Sequence, residues 1–485
     1  MTLLRRGPAA RGCLSPARLA AGSSLAALTV VLSGCAAFSP DGGFGAVQKA
    51  TADRLTDPVQ LVWARSPEDR DRIDQRVREL LASPLDARAA IEVSLLNNRG
   101  LQASFAELGI TEAERVQAGR LPNPGIHFGR TTQGSEVEIE RGFHLSLARL
   151  VALPLVQRVQ ERRQQQVQAS VAQQVLSLAA DTHKAWVQAV AAAESARYSR
   201  QVMEAAQASA ELARRMAQVG NFNKLQQARE QGFYADAALN LARAEQQQVA
   251  ARERLTRLLG LWGEQTHYVL PARLPGLPAQ VRDWPDIERK ALAQRLDVAA
   301  AVASVEATAQ SLGLTRTTRF VNVLELGGTR SSSNEGHRAR GWEISLELPL
   351  FDWGDAREAR AEAVYQQALH RAAETAINAR SEVREAYGAY RSAWDIARHQ
   401  REEIVPLKAR IAEENLLRYN GMLIGIFELL ADARSQIAAV NGAIDALRDF
   451  WLAQADLDMA LVGKPSLSAA AAPAAAAAET GGAGH

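Results

Sequence analysis

Two cysteines and eight histidines are the residues of this 485-residue chain best suited to nucleophilic or metal chemistry, and their placement restricts both. The histidines are scattered, and no pair has ligand spacing on one helical face. His127 and His144 fall in strand-like segments, and His337 falls in a polar loop between two others. No HExxH, Gly-rich phosphate loop or Ser-His-Asp pattern stands in a strand-turn-helix context. The sequence therefore offers no enzyme site and calls for no cofactor or metal. Cys35 is different. It follows the apolar stretch "LAALTVVLSG" as Leu32-Ser33-Gly34-Cys35, behind Arg5, Arg6, Arg11 and Arg18. Small residues ahead of a thiol let a chain enter a narrow protease site, and the thiolate is the nucleophile at hand.

The tetrapeptide resembles the bacterial lipobox, where cleavage before the cysteine accompanies diacylglycerol attachment to its thiol. An ordinary signal peptide with a coincidental cysteine is the alternative. On the lipobox reading residues 1–34 are a leader, too short in its apolar part to span as a mature helix. Cys13 leaves with it and Cys35 is acylated, so no disulfide framework is available. Ala36, rather than Asp, after the cysteine points to outer-membrane sorting, and several acyl chains make a stable anchor. Removing a leader with four arginines and no acid takes the formal charge from +2 to −2. That balance gives no reason to expect nucleic acid as a partner.

The elements that must position everything else occur twice. After a Pro/Gly-containing stretch to about 66, read as an extended tether, comes a short charged helix near 67–82. "LDARAAIEVSLLNNRGLQASFAELGITEAERVQAGR" then reads as one helix stopped by "LPNP". Strand-like segments follow near 125–132 and 137–153. A run without Gly or Pro goes from Leu155 to Val219, and a further helix covers Lys224 to Leu259. The order returns with a helix near 285–317, strands near 319–329 and 341–350, and helices over 355–419 and 426–461. "ALPL" at 152–155 matches "ELPL" at 347–350, and Gly220 matches Gly421. The organisation expected is a leader (1–34), tether and short helix (35–83), first repeat (84–263, strands about 125–153) and linker (264–283). A second repeat (284–465, strands about 319–350) and an Ala-rich tail (466–485), read as disordered, complete it.

In the long helix Val167, Val171, Val175, Leu178, Thr182, Ala185 and Ala189 recur every three or four residues, with glutamines on the flanks. A narrow seam with wet flanks suits a coiled-coil wall. In "WEISLELPL", Trp342, Ile344, Leu346, Leu348 and Leu350 alternate with Glu343, Ser345, Glu347 and Pro349; "FHLSLARL" does likewise. Such ribbons have one apolar and one polar face. That fits a soluble sheet over a helical core, or a membrane barrel wall with a wet lumen. Alternation alone does not choose. Outer-membrane sorting favours the barrel, and because four strands cannot close one, several copies must pool theirs.

The chain resembles the TolC-like outer-membrane efflux factors over nearly all of its mature length. The resemblance is carried by Cys35, by "LLNNRGLQA" leading to "AGRLPNP", and by corners at Pro154 and Pro349. "LLGLWG" at 258–263 and "RYNGMLIGIFELLADARSQ" at 418–436 add to it. It implies a mainly α fold with a small β part: a long α-helical coiled-coil barrel joined to a transmembrane β-barrel formed by a trimer, four strands per subunit, with an internal two-fold repeat. It also implies a passive exit duct for substrates from an inner-membrane pump, of the resistance-nodulation-division type, through a periplasmic adaptor. The other reading is a periplasmic adaptor or coiled-coil scaffolding lipoprotein.

The resemblance also nominates residues. Glu413 and Glu414 stand where such channels narrow to an acidic periplasmic gate; the alternative is a solvated helix flank. Glu428 and Asp432 are weaker candidates. Gly220, Asn221 and Phe222 in the first helical hairpin, and Gly421, Met422, Leu423, Ile424 and Gly425 in the second, are the expected adaptor contacts. The second hairpin is more apolar than is usual at that tip. With Ile426 and Phe427 it forms either a binding patch or a packing face. Pro406 marks a helix kink. His144 is expected on the lumen face, as a polar lining residue or in metal passage.

Overall fold

The computed structural model describes residues 37–55, 59–318, 323–347 and 350–465. The leader, Cys35, Pro349 and the Ala-rich tail, all singled out by the sequence, lie outside these residues. The described chain divides into two compact units. One combines Ile110–Gln164 with Ala307–Tyr365; the other holds Gly43–Gly109, Gln165–Glu306 and the chain from Gln366 onward.

The expected tether contains a helix, α1 (Phe44–Ala52), with Phe44 and Val47 buried. Phe44 packs edge-on against Phe105 at a ring separation of 4.9 Å. Prolines and glycines around it masked this short apolar i, i+3 pair. The charged helix α2 (Pro67–Leu81) starts with Pro67 and a reciprocal capping box between Ser66 and Asp69.

The long helix expected over 85–120 is two helices, α3 (Ala87–Asn97) and α4 (Arg99–Ala118). Asn98 breaks it with extended backbone (ψ 117°) and caps α4 by accepting from the Leu101 N–H at 3.0 Å. After the β1–β2 hairpin come α5 (Leu147–Gln218) and α6 (Lys224–Leu259). The second repeat breaks in the same way, into α7 (Ile287–Gln294) and α8 (Leu296–Thr318), at Arg295 (ψ 125°).

Both breaks serve one purpose: they bring a side chain to the end of a later helix. Asn97 and Asn98 donate to the carbonyls of Gly260 (2.8 Å) and Leu258 (3.0 Å), satisfying orphan groups at the C-terminus of α6. Gly260 closes that helix at φ 66°, and a Cβ there would lie 2.8 Å from the Asn97 carbonyl oxygen. Arg295 is buried, paired with Asp297 (2.7 Å) and Glu382 (2.6 Å), and reaches the Ala460 carbonyl. The motifs "LLNN" and "LLGLWG", far apart in sequence, thus meet.

The remaining helices are α9 (Asp355–His399), a π-helical turn (Gln400–Ile404), α10 (Val405–Asn420) and α11 (Ile426–Val462). Pro406 sits near the start of α10, directly after the π turn. A widened turn accommodates a residue that has no N–H to donate.

The helical core lies in the second unit and is broader than one seam. Val171, Val175, Thr182, Ala185 and Ala189 are buried, but so are Ala172, Leu176, Ala179 and Trp186. Toward the hairpin only Ala196, Ala206 and Ala213 of α5 stay buried, a stripe narrow enough for close helix approach. The part of α5 within this unit, Gln165 to Gln218, extends roughly 80 Å at 1.5 Å per residue.

Candidate functional site

Four strands form one antiparallel sheet in the order β1 (Gly125–Gln133), β2 (Glu136–Ser146), β3 (Leu324–Ser333), β4 (Arg338–Leu346). Both repeats contribute a hairpin, and β2 pairs with β3 across them. β2 ends at Ser146, short of the 153 expected, because α5 begins at Leu147 and carries Pro154 inside it. In "LARLVALP" Leu147 continues the alternation of Phe143 and Leu145, but Leu147, Leu150 and Leu153 recur every three residues and fit a helical period. The β2–β3 pairing ends at Ser146 and Glu325, and from Leu147 the helical period prevails.

Register places the faces. Ile126, Phe143, Gly328 and Trp342 are abreast on one face, with Leu145, Leu326 and Ile344 in the next row. The Phe143 ring covers Gly328, where a Cβ would come within 2.7 Å of it. Ile126 is 85% exposed and Trp342 77%. The opposite face carries His127, Glu140, His144, Glu325, Thr329 and Glu343 around a shallow groove. The His127 and Glu140 side chains stand 3.9 Å apart. His144 lies on this polar face, opposite Phe143, as the alternation predicted. An apolar face this exposed demands a nonaqueous neighbour. The outer edges of β1 and β4 carry no strand partner among the described residues.

At the strand ends Glu136, Glu335 and His337 hold one ligand atom each within 4.8 Å of one another. Glu136 already accepts from the Ser333 hydroxyl at 2.9 Å. Sequence spacing could not reveal this group, because its members come from hairpins of different repeats. Asn334 locks the two tips together, accepting from Val137 N–H (2.9 Å) and donating to the Ser135 carbonyl (2.8 Å).

The two helical hairpins differ. In the first, Gly220 adopts φ 80°, Phe222 is buried, and Asn223 caps α6 in a reciprocal box with Gln226. In the second, the left-handed residue is Met422 (φ 60°), one step after Gly421, and Gly425 starts α11 with no side-chain cap. Met422 is 94% exposed and Leu423 77%, while Ile424 and Ile426 are half-buried.

Glu413 and Glu414 are exposed on α10, and Glu428 is exposed on α11. Asp432 is engaged instead: Asn415 of α10 donates to its carboxylate. A group the sequence did not signal lies between the arms. Glu230 of α6, 1% exposed, binds Arg434 of α11 at 2.7 Å and accepts from Ser209 of α5 at 2.8 Å. Arg434 also lies over the Phe233 ring at 4.4 Å. Its separation in sequence hid it; a glutamate at an inward position of α6 was the available clue. Farther along α11, burial pushes the Asp458 carboxyl up to about 6, against the nearby Arg282 charge.

The chain is a duplicated strand-pair-plus-long-helix unit, with a sheet whose apolar face is bare and whose edges are open among the described residues. The sequence profile of the family described as "Outer membrane efflux protein" matches residues 288–413. The cobalt-zinc-cadmium resistance protein CzcC of Cupriavidus metallidurans is 24% identical over 278 residues, 56% of this chain and 64% of that one. The match thus spans under two thirds of that relative. Among solved structures, CusC aligns with TM-score 0.64 at 17% identity over 78% of this chain and 92% of its own. The outer-membrane channel OprN gives 0.65 at 20% over 85% and 95%. The MtrE outer membrane channel of Neisseria gonorrhoeae gives 0.63 at 20% over 78% and 89%. The fold is that of the TolC-like outer-membrane efflux factors, and the resemblance read from the sequence holds.

Proposed function

We propose that this protein is the outer-membrane exit duct of a tripartite efflux system, passing substrates delivered by an inner-membrane pump through a periplasmic adaptor. The observation that carries this reading is the four-stranded sheet with one exposed apolar face, one carboxylate-bearing face and two open edges. Strands of 9 to 11 residues match the length of a tilted membrane-crossing strand. Open edges are not tolerated in lipid. Three copies pooling four strands each would close them into one barrel, with Cys35 acylated as an anchor beside it.

The polar face then lines the lumen. Its glutamates and histidines, without an arginine or lysine, favour cations. Metal cations are accordingly the cargo this lumen suits best, in keeping with the resistance for which CzcC is named. Glu413 and Glu414 gate the periplasmic end, and the apolar second hairpin meets the adaptor. Pro406 and its π turn supply the bend.

Planar-bilayer recording of the purified oligomer tests the reading. We expect a cation-preferring conductance that rises when Glu413 and Glu414 are changed to Ala. Unaltered conductance and selectivity would remove both residues from the gate. A monomer in the inner-membrane fraction would replace the duct with an adaptor.

A further inference from the structure

Charge is divided completely between the two faces of the sheet. The four strands hold five glutamates and five arginines. Glu136, Glu138, Glu140, Glu325 and Glu343 all share the polar face. Arg130, Arg141, Arg330, Arg338 and Arg340 all share the apolar one. Their level along the strands is equally regular. Counting from the helix end, three apolar rows come first, beginning with Leu324 and Leu346. The next row sets Phe128, Arg141, Arg330 and Arg340 abreast on four neighbouring strands, and Arg130 and Arg338 follow one row nearer the tips.

We propose that this arginine row docks the phosphate groups of lipid headgroups in the membrane leaflet nearest the hairpin tips. The proposal rests on the duct reading, which places this face against lipid. Like charges directly opposite one another on neighbouring strands repel. A sheet with five carboxylates could have relieved this by placing one between the arginines, and it places every one on the other side. The arginines are exposed, and none forms an ion pair with a carboxylate among the described residues. No carboxylate among the described residues neutralises the row, which leaves it open to an anion from a ligand.

Two facts select a lipid phosphate over a soluble anion. The same face is apolar immediately toward the helices, so whatever covers Ile126, Phe143 and Trp342 is a hydrocarbon layer whose boundary falls at the arginines. Arginine also suits that boundary: its stem lies along apolar surface while its planar fork binds phosphate oxygens in pairs. Arginine is used five times on the strands and lysine never.

The test uses the native oligomer in detergent, titrated with diphosphorylated lipid A, with its dephosphorylated form and with inorganic phosphate, read by native mass spectrometry. We expect the phosphorylated lipid to bind at least tenfold more tightly than the dephosphorylated one, with inorganic phosphate failing to displace it at matched concentration. Arg141→Gln with Arg330→Gln and Arg340→Gln should remove that preference, whereas Glu138→Gln with Glu140→Gln should keep it. Equal binding of the two lipids by the unaltered protein would overturn the proposal without any variant. So would efficient displacement by inorganic phosphate, which would make the row a soluble-anion site. Conductance and oligomer mass, measured on the same samples, report separately on the duct: intact pores without lipid preference refute the lipid site alone.

Discussion

The two helical hairpins occupy equivalent places in a duplicated chain, yet they are built on opposite terms. The first uses a glycine where the backbone turns left-handed, buries Phe222 and caps its following helix with Asn223 and Gln226. The second puts Met422 in the left-handed position, leaves α11 without a side-chain cap and exposes Met422 and Leu423. A non-glycine residue there costs about 1–2 kcal/mol. The first tip is therefore optimised for folding. The second gives up stability to present apolar side chains, as expected of a surface completed by a partner.

The sharpest way to break this comparison is to charge the second tip. Met422→Asp with Leu423→Asp should reduce adaptor binding by roughly thirtyfold, the loss of one hot spot, with outer-membrane level and assembly unchanged. Asn221→Asp in the first tip should cost less than about threefold by the same binding assay. Equal losses would erase the distinction between the tips.

The fastening between the arms comes next. Glu230→Ala strands Arg434 and should lower unfolding stability by about 2–3 kcal/mol, read as a lowered thermal midpoint in detergent. The value falls below that for a fully buried pair because the Arg434 side chain is 36% exposed.

Asp458, on α11 beyond both tips, gives an effect of opposite sign. Its carboxyl is raised from 3.8 to about 6, so the folded state favours the protonated form. Stability from this group is complete below about pH 4 and lost as pH rises through about 6. Asp458→Asn should raise the thermal midpoint at pH 7.5, by no more than about 2 kcal/mol equivalent after discounting for partial exposure, and leave it unchanged at pH 3.5.

The smallest effects dissect the turns. Asn223→Ala should cost about 1 kcal/mol by loss of the cap. Met422→Gly should instead stabilise by about 1 kcal/mol while weakening partner binding. Stabilisation without weakened binding would mean that Met422 is not a contact.

Where local patterns decide structure, the sequence was readable. Gly220 and Gly421 located both hairpins, the alternation around Phe143 and Trp342 located the sheet, and their repetition gave the duplication. Its failures were places where a distant partner decides. Asn98 and Arg295 break helices because the ends of α6 and α11 lie beside them. Strand β2 stops at Ser146, where the long helix begins and pairing with β3 ends. Glu230 is buried only because Arg434 comes from another repeat, and helix α1 hid among prolines and glycines until Phe105 was seen to cover Phe44. The arginine face was present in the sequence as single residues; register alone assembled it.

The proposed duct requires copies of this chain to seal one another's sheet edges, and cysteine cross-linking in native membranes tests that most directly. Thr131→Cys on β1 would be combined with Ala339→Cys on β4, then with neighbouring same-face positions on β4. The two edges are three strand spacings apart within one chain, roughly 14 Å, beyond disulfide reach. Any bond must therefore join separate copies. The account predicts covalent dimers and trimers, and nothing larger, on non-reducing gels for at least one pair. Monomer for every pair, with thiols that still react with maleimide, would contradict it.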